Sequence, residues 1–138
     1  MPVDVVQARI LAGLKEDGFT DLNAAHLVVL RWPGPENRRP SDLAREVRMS
    51  KQAMNYLIGD LERLGYLTRR DDPDDQRSKR VHLTKRGRAV VPTIRTAVRQ
   101  LEVEWERELG RARLRQLREL LTDLNATSSV RDFHGGGA

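Results

Sequence analysis

The sequence predicts a mainly α-helical fold with one small β-hairpin, and three observations carry that expectation. Apolar residues recur at three- and four-residue steps near both ends of the chain. Two short helical segments, each opened by a serine, lie mid-chain on either side of a tight turn. Two β-like runs follow at once, joined by a stretch rich in Asp that contains Pro73.

Taken in order, Val3–Leu14 places Val3, Val6, Ile10 and Leu14 near helical spacing, and Gly18 breaks the run. Asp21–Arg31 reads as a second helix, with Leu22, Ala25 and Val29 on one side and Leu27 and Leu30 widening the stripe. Pro33-Gly34-Pro35 stops it, because proline has no amide to donate and glycine frees the backbone. Glu36–Arg39 reads as a polar loop. Ser41 is expected to cap Asp42–Val47, a short helix with Leu43, Ala44 and Val47 inward. Arg48 and Met49 turn the chain, Ser50 caps Lys51–Leu64, and Gly65 ends that helix. Its inward set is Met54, Leu57, Ile58, Leu61 and Leu64. The β-like runs are Tyr66–Arg70 and Lys79–Leu83, with Asp71–Ser78 as the turn.

Thr84 is expected to cap a helix from Lys85, whose apolar positions Val91, Ile94, Val98, Leu101, Trp105 and Leu109 step by three or four. Gly110 is placed to interrupt it, and Leu114, Leu117, Leu121 and Leu124 resume the pattern. The expected organisation is therefore an N-terminal helix over 1–20, a helix-turn-helix with its hairpin over 21–90, C-terminal helices over 91–125 and a disordered tail over 126–138.

Composition narrows the function. The 138 residues suit one domain with a helical extension. Aromatics are 4%, too few for a surface that stacks single-stranded bases. The absence of cysteine removes disulfides, thiolate catalysis and cysteine zinc sites, and it fits a reducing cytoplasm. The opening MPVDVVQARILAGLKEDG has early acids and no long apolar run, unlike a signal peptide, and no window reaches the roughly 18 apolar residues of a membrane span. From Arg38 to Arg88 there are 14 Lys/Arg against 8 Asp/Glu, while the rest has 11 against 12. The whole positive excess of the chain sits in this central stretch, as a localised polyanion-binding surface requires.

The central unit is a helix, a three-residue turn, a second helix and a hairpin, which together make a winged helix-turn-helix. The second helix must turn one face to the core and another to DNA. Lys51, Gln52, Asn55 and Tyr56 form a compact hydrogen-bonding group at the end that enters the major groove. Lys51 suits guanine or phosphate, and the amides of Gln52 and Asn55 have the geometry to pair with adenine. Ser41 and Ser50 mark helix starts that can face phosphates. In the wing, Arg77 is placed to enter a narrow minor groove, with Asp75 expected to hold its guanidinium and Lys79 and Arg80 expected on the DNA backbone.

These residues resemble the MarR (multiple antibiotic resistance regulator) family. The similar pieces are Leu43-Ala44, Ser50-Lys51-Gln52-Ala53, Leu61-Glu62 with Gly65, and the run Asp72-Pro73-Asp74-Asp75-Gln76-Arg77 that leads to Leu83-Thr84 and Gly87. They cover about a third of the chain. The resemblance implies a homodimer in which Val3–Leu14, Val91–Leu109 and Leu114–Leu124 interlock with a second copy, bound to a pseudo-palindromic double-stranded DNA operator. It also implies a repressor that senses a small aromatic or lipophilic effector, for which His26, Trp32 and Trp105 are the candidate wall residues.

Other readings fit less well. His26, His82 and His134 are scattered, with no acidic partners at metal-ligand spacing, and no nucleophile or phosphate-loop motif occurs, so neither an enzyme, a metal nor a cofactor is expected. A winged domain used only for protein contact would carry apolar residues where Lys51, Gln52, Asn55 and Tyr56 stand. An architectural, sequence-blind binder would need the basic residues but not the two amides.

Overall fold

The computed structural model describes residues 3–31 and 33–135, and the side chains of residues 5–31 and 33–124. The order is α1 (Val3–Glu16), α2 (Ala24–Leu30), α3 (Pro40–Glu46), α4 (Lys51–Arg63), β1 (Leu67–Asp72), β2 (Asp75–Leu83) and α5 (Lys85–Gly135). The fold is mainly helical with one antiparallel hairpin, as the sequence predicts. The chain forms two compact units, 1–98 and 99–138.

Local chemistry sets most boundaries in the first unit. Helix α2 is shorter than its apolar run, because the Asn23 side chain accepts from the His26 amide and the His26 ring accepts from the Asn23 amide, a reciprocal cap that fixes the start. Helix α3 begins one residue before the serine expected to cap it. Pro40 fills its first turn, where a missing amide costs nothing, so Ser41 lies inside the helix and makes no cap. The turn into α4 is a Schellman motif, with the Met49 amide on the Ala44 carbonyl (2.8 Å) and the Arg48 amide on that of Arg45 (3.3 Å). Ser50 caps α4 as expected, its hydroxyl accepting from the Ala53 amide at 3.0 Å.

The core gathers Ile10 and Leu14 of α1, Leu27, Val29 and Leu30 of α2, and Leu43 and Ala44 of α3. Met54, Leu57, Ile58 and Leu61 of α4 join them, with Tyr66, Leu67, Val81 and Leu83 from the hairpin and Val90 and Ala97 from α5. Four of the five residues expected to face inward from α4 are buried, while Leu64 is half-buried. Ile10 and Leu14 therefore pack inside the chain's own core, whereas Val5 on the same helix is exposed.

The hairpin is longer than the sequence predicts. Strands run in register from Leu67 opposite Leu83 to Asp71 opposite Lys79, and a bulge brings Asp72 opposite Asp75. Only Pro73 and Asp74 turn the chain, where the sequence predicts a loop over Asp71–Ser78. Alternation is weak in a charged tip, so these strand residues carry no apolar signal to read. Arg38 adds a third, single-residue bridge to Val81.

In the second unit, Gly110 has φ 77° and ψ 159°, a backbone open almost only to glycine. Arg118 pairs with Glu102 at 2.8 Å, although 16 residues of straight helix would span roughly 24 Å. The chain thus reverses at Gly110, and Leu101 and Leu114 are buried. The helix runs on to Gly135, past the point where a structureless tail is expected. Asn125, Ser128 and Ser129 are weak helix formers but not breakers. Gly136–Ala138 of that expected tail lie outside the described residues.

Two glycines separate close packing from mere conformation. A Cβ on Gly87 would stand 2.1 Å from the Tyr66 carbonyl oxygen, whereas one on Gly59, inside α4, would meet nothing within 4 Å. Gly87→Ala is expected to lose roughly 1–3 kcal/mol of stability by overpacking. Gly59→Ala is expected to gain roughly 0.5–1 kcal/mol from helix propensity. Urea unfolding of the two variants checks both signs, and equal effects would refute the packing argument.

Candidate nucleic-acid interface

Helix α4 presents a polar face opposite its buried stripe. Lys51, Gln52, Asn55 and Tyr56 are all exposed there, and Tyr56 is 72% exposed despite its aromatic ring. A solvent-facing phenol on a helix surface is better suited to a partner than to the core. The structure brings Lys51 and Asn55 together with Arg39, Ser41, Arg69, Ser78 and Lys79 around one cleft of about 300 Å³. Four of these seven side chains are cations.

The wing is organised by Asp72, whose side chain has no exposed surface. Its carboxylate accepts from Arg39 Nε at 2.8 Å, from the Asp74 amide at 2.9 Å and from the Ser78 hydroxyl at 3.3 Å. Arg80 Nε lies 3.1 Å away as a close ion pair without hydrogen-bond alignment. The Asp74 amide is the leading cause that holds the Asp72 carboxyl down to about 2, against its burial, with Arg39 and Arg80 adding to it. Arg80 also donates to the Asn37 carbonyl at 3.0 Å. It is thus tied to the wing base, where the sequence predicts a phosphate contact.

Asp75 has another task than expected. It accepts from the backbone amide of Arg77 at 3.0 Å and makes no pair with its guanidinium. A two-residue turn leaves tip amides without ladder partners, and a carboxylate two residues upstream takes one of them. Arg77 is consequently an exposed cation at the wing. Lys79 faces Asp71 across the ladder at 4.0 Å, a loose surface pair.

Arg69, Arg39 and Asp72 escape a reading of the sequence alone. The Arg69 guanidinium crosses from β1 to α4, donating from Nε to Glu62 at 2.8 Å and from Nη1 to Asn55 Oδ1 at 3.3 Å. The visible signal was a central Arg on a strand directly after the reading helix.

Of the expected effector residues, His26 belongs to the first unit and Trp105 to the second. His26 is buried, with Nδ1 accepting from the Asn23 amide at 3.0 Å and Nε2 donating to Asp60 at 2.5 Å. Both ring nitrogens are engaged, so His26 joins α2 to α4. That bond is the first cause holding the Asp60 carboxyl below its ordinary value. Trp105 is half-buried in the second unit, and Trp32 lies outside the described residues. A different cleft of about 320 Å³ opens in the first unit, with Arg31, Pro35, Glu36, Val91, Ile94 and Arg95 on its wall. No group of three metal-ligating side chains occurs among the described residues, and no described helix is long and apolar enough to cross a membrane.

A helix pair at a tight turn, the second helix with an exposed polar face, and a hairpin anchored beside it define a winged helix-turn-helix protein. Residues 20–78 match the sequence model of the MarR family. The uncharacterized HTH-type transcriptional regulator YkoM of Bacillus subtilis is 36% identical over 73 residues, which are 53% of this chain and 46% of that protein. The match therefore spans about half the length of that relative. FabT of Streptococcus pneumoniae, solved in complex with DNA, is similar with a TM-score of 0.73 and 21% identity, covering 90% of this chain and 87% of that one. CouR of Rhodococcus jostii, solved bound to p-coumaroyl-CoA, gives 0.65 and 20%, covering 88% and 85%. At such identity these likenesses concern the fold.

The depressed Asp72 carboxyl makes wing stability depend on pH. Its folded value lies below the ordinary carboxylate value of 3.8, so its stabilisation is present above that pH and is lost as pH falls towards about 2. Amide protection in β1 and β2 is expected to decline over that window. Asp72→Asn should remove this part of the pH dependence and lower the thermal midpoint near neutrality, because Arg39 and Arg80 lose their counter-charge. A wing whose protection is flat over that window, or an Asp72→Asn variant as stable as the parent, would contradict the assignment.

Proposed function

We propose that this chain is a sequence-specific regulator that binds a pseudo-palindromic double-stranded DNA operator as a homodimer and represses transcription until a small ligand binds. One observation carries the reading. The exposed amide, ammonium and phenol groups of α4 stand beside a cationic cleft and an exposed wing arginine, which is the pairing that base reading and phosphate binding demand together. Under this reading the chain is a non-enzymatic protein of the cytoplasm, in keeping with the transcriptional regulator named above. Lys51, Gln52, Asn55 and Tyr56 are assigned to bases, Arg77 to the minor groove, and Ser50 and Lys79 to the backbone.

The dimer is supported by surface that the described chain leaves uncovered. Leu120, Leu121 and Leu124 are 65%, 45% and 62% exposed along one helix. A leucine stripe of this kind, at helical spacing, calls for a second copy. Such a dimer spaces two winged domains for half-sites about one DNA turn apart. For the effector, the cleft beside Arg31 and Arg95 is the better candidate. Neither guanidinium makes an ion pair among the described residues, and burial depresses the Arg31 pKa. An apolar molecule bearing an acid group suits that wall.

An architectural binder remains the alternative in chemistry, and affinity for one selected operator over random duplex decides between the two. Arg77→Ala is expected to weaken operator binding by roughly 1–3 kcal/mol in anisotropy titrations at matched salt. Unchanged affinity would remove the wing from the interface. Leu120→Glu with Leu124→Glu is expected to give folded monomers by light scattering and to lose cooperative binding to a two-half-site operator. Persistence of a dimer would move the interface elsewhere.

A further inference from the structure

The contact between Arg69 and Asn55 bears on which base the reading helix selects. An asparagine that pairs with adenine must accept from the N6 amino group while it donates to N7. Here Asn55 Oδ1 already accepts from Arg69 Nη1 at 3.3 Å, and Arg69 Nη2 lies 3.4 Å from the Asn55 main-chain carbonyl. Arginine can only donate, so the chemistry alone fixes which end of the amide faces it. Glu62 holds the same guanidinium from the other side through Nε at 2.8 Å, and the Arg69 side chain is only 28% exposed. The amide is therefore held with its oxygen towards the wing and its two N–H donors available.

Charge acts in the same direction. Lys51 lines the cleft that Asn55 borders, and no described carboxylate pairs with it. A base edge that must donate beside this cation is disfavoured, and an edge that only accepts is favoured. In the major groove guanine offers two acceptors, N7 and O6, whereas adenine offers one acceptor and one donor.

We propose that Arg69 is a positioning residue for base readout, which turns Asn55 from an adenine reader into a donor that selects guanine. The inference rests on the sequence-specific DNA reading proposed above and adds the identity of one base. It also revises the adenine pairing expected of Asn55 from its residue type.

The test is selection of bound sequences from a random duplex pool, with the full-length protein and its variants. Asn55→Ala identifies the operator position concerned, because that position loses its preference. The parent protein is expected to select guanine there. Arg69→Met, which keeps the aliphatic stem and removes every donor, is expected to shift the guanine-to-adenine ratio at that position by about tenfold towards adenine, the scale of one bidentate contact. Arg69→Met combined with Asn55→Ala should match Asn55→Ala alone at that position. Glu62→Gln, which only loosens the guanidinium, should shift the ratio in the same direction by less, and it serves if Arg69→Met fails to fold by circular dichroism. Adenine in the parent selection, or a guanine preference that Arg69→Met and Glu62→Gln leave intact, overturns the inference while DNA reading stands. A parent protein that enriches no sequence overturns the DNA reading itself, and the inference with it.

Discussion

A carboxylate without exposed surface, in a domain this small, has to be surrounded by donors or it does not stay charged. Asp72 meets that condition with one amide, one hydroxyl and two guanidinium groups from three parts of the chain. Arg39 comes from the entry to α3, Arg80 from β2, and the Asp74 amide from the turn itself. Arg80 reaches on to the Asn37 carbonyl, and the backbone of Asn37 and Arg38 pairs with Val81. The wing tip, the wing base and the start of the helix-turn-helix are thereby fixed to one buried charge. Removing that charge would free a hairpin whose own strand pairing is marginal in isolation.

This arrangement changes how the positive charge should be counted. The central stretch looks uniformly basic in sequence, yet much of it is neutralised locally. Arg39 and Arg80 serve Asp72, Arg69 serves Glu62, Arg63 pairs with Asp60, and Arg86 pairs with Asp21 while its guanidinium lies 4.2 Å above the Tyr66 ring. Among the candidate contacts, Lys51 and Arg77 carry charge that no described carboxylate takes up. Arginines in ion pairs shape and orient the surface, and under the proposed reading Lys51 and Arg77 are the candidate contacts left to attract phosphate. A net charge of +5 therefore understates how few side chains are available to bind, and overstates how evenly they are spread.

Much of the fold was legible because it rests on local rules. The stripe Met54, Leu57, Ile58 and Leu61, the Ser50 cap and the Gly65 stop each follow from spacing and residue type, and α4 obeys them. The misplacements occur where two local rules compete or where a partner is distant in sequence. Ser41 is no cap because Pro40, equally suited to a helix start, opens the helix one residue earlier and leaves Arg39 at the cap position. The strands outran their apolar signal because polar residues at a hairpin tip need only their backbone to pair. Asp72 and Arg39 stand 33 residues apart, and nothing in their spacing announces the contact. Among the site residues, the exposed group of α4 could be named from the helical period alone. Whether each member is available depends on tertiary neighbours, as Arg69 over Asn55 and Asp71 opposite Lys79 demonstrate.

Helix α2 connects the two regions to which function is assigned. Its C-terminal end, at Leu30 and Arg31, lines the apolar cleft, and its first turn holds His26 against Asp60 in the last turn of α4. The helix has seven residues, roughly 10 Å of rise, and its buried face leaves it little freedom to bend. Asp60 is also paired with Arg63 on the same helix, so a displaced His26 would leave a charge that is not wholly orphaned. Under the proposed ligand response, a molecule that displaces the end of α2 would act on the angle of the reading helix before it disturbed the core beneath it. The reading helix would respond as a body, because Met54, Ile58 and Leu61 share one packed stripe, and the distance between two copies in a dimer would change with it.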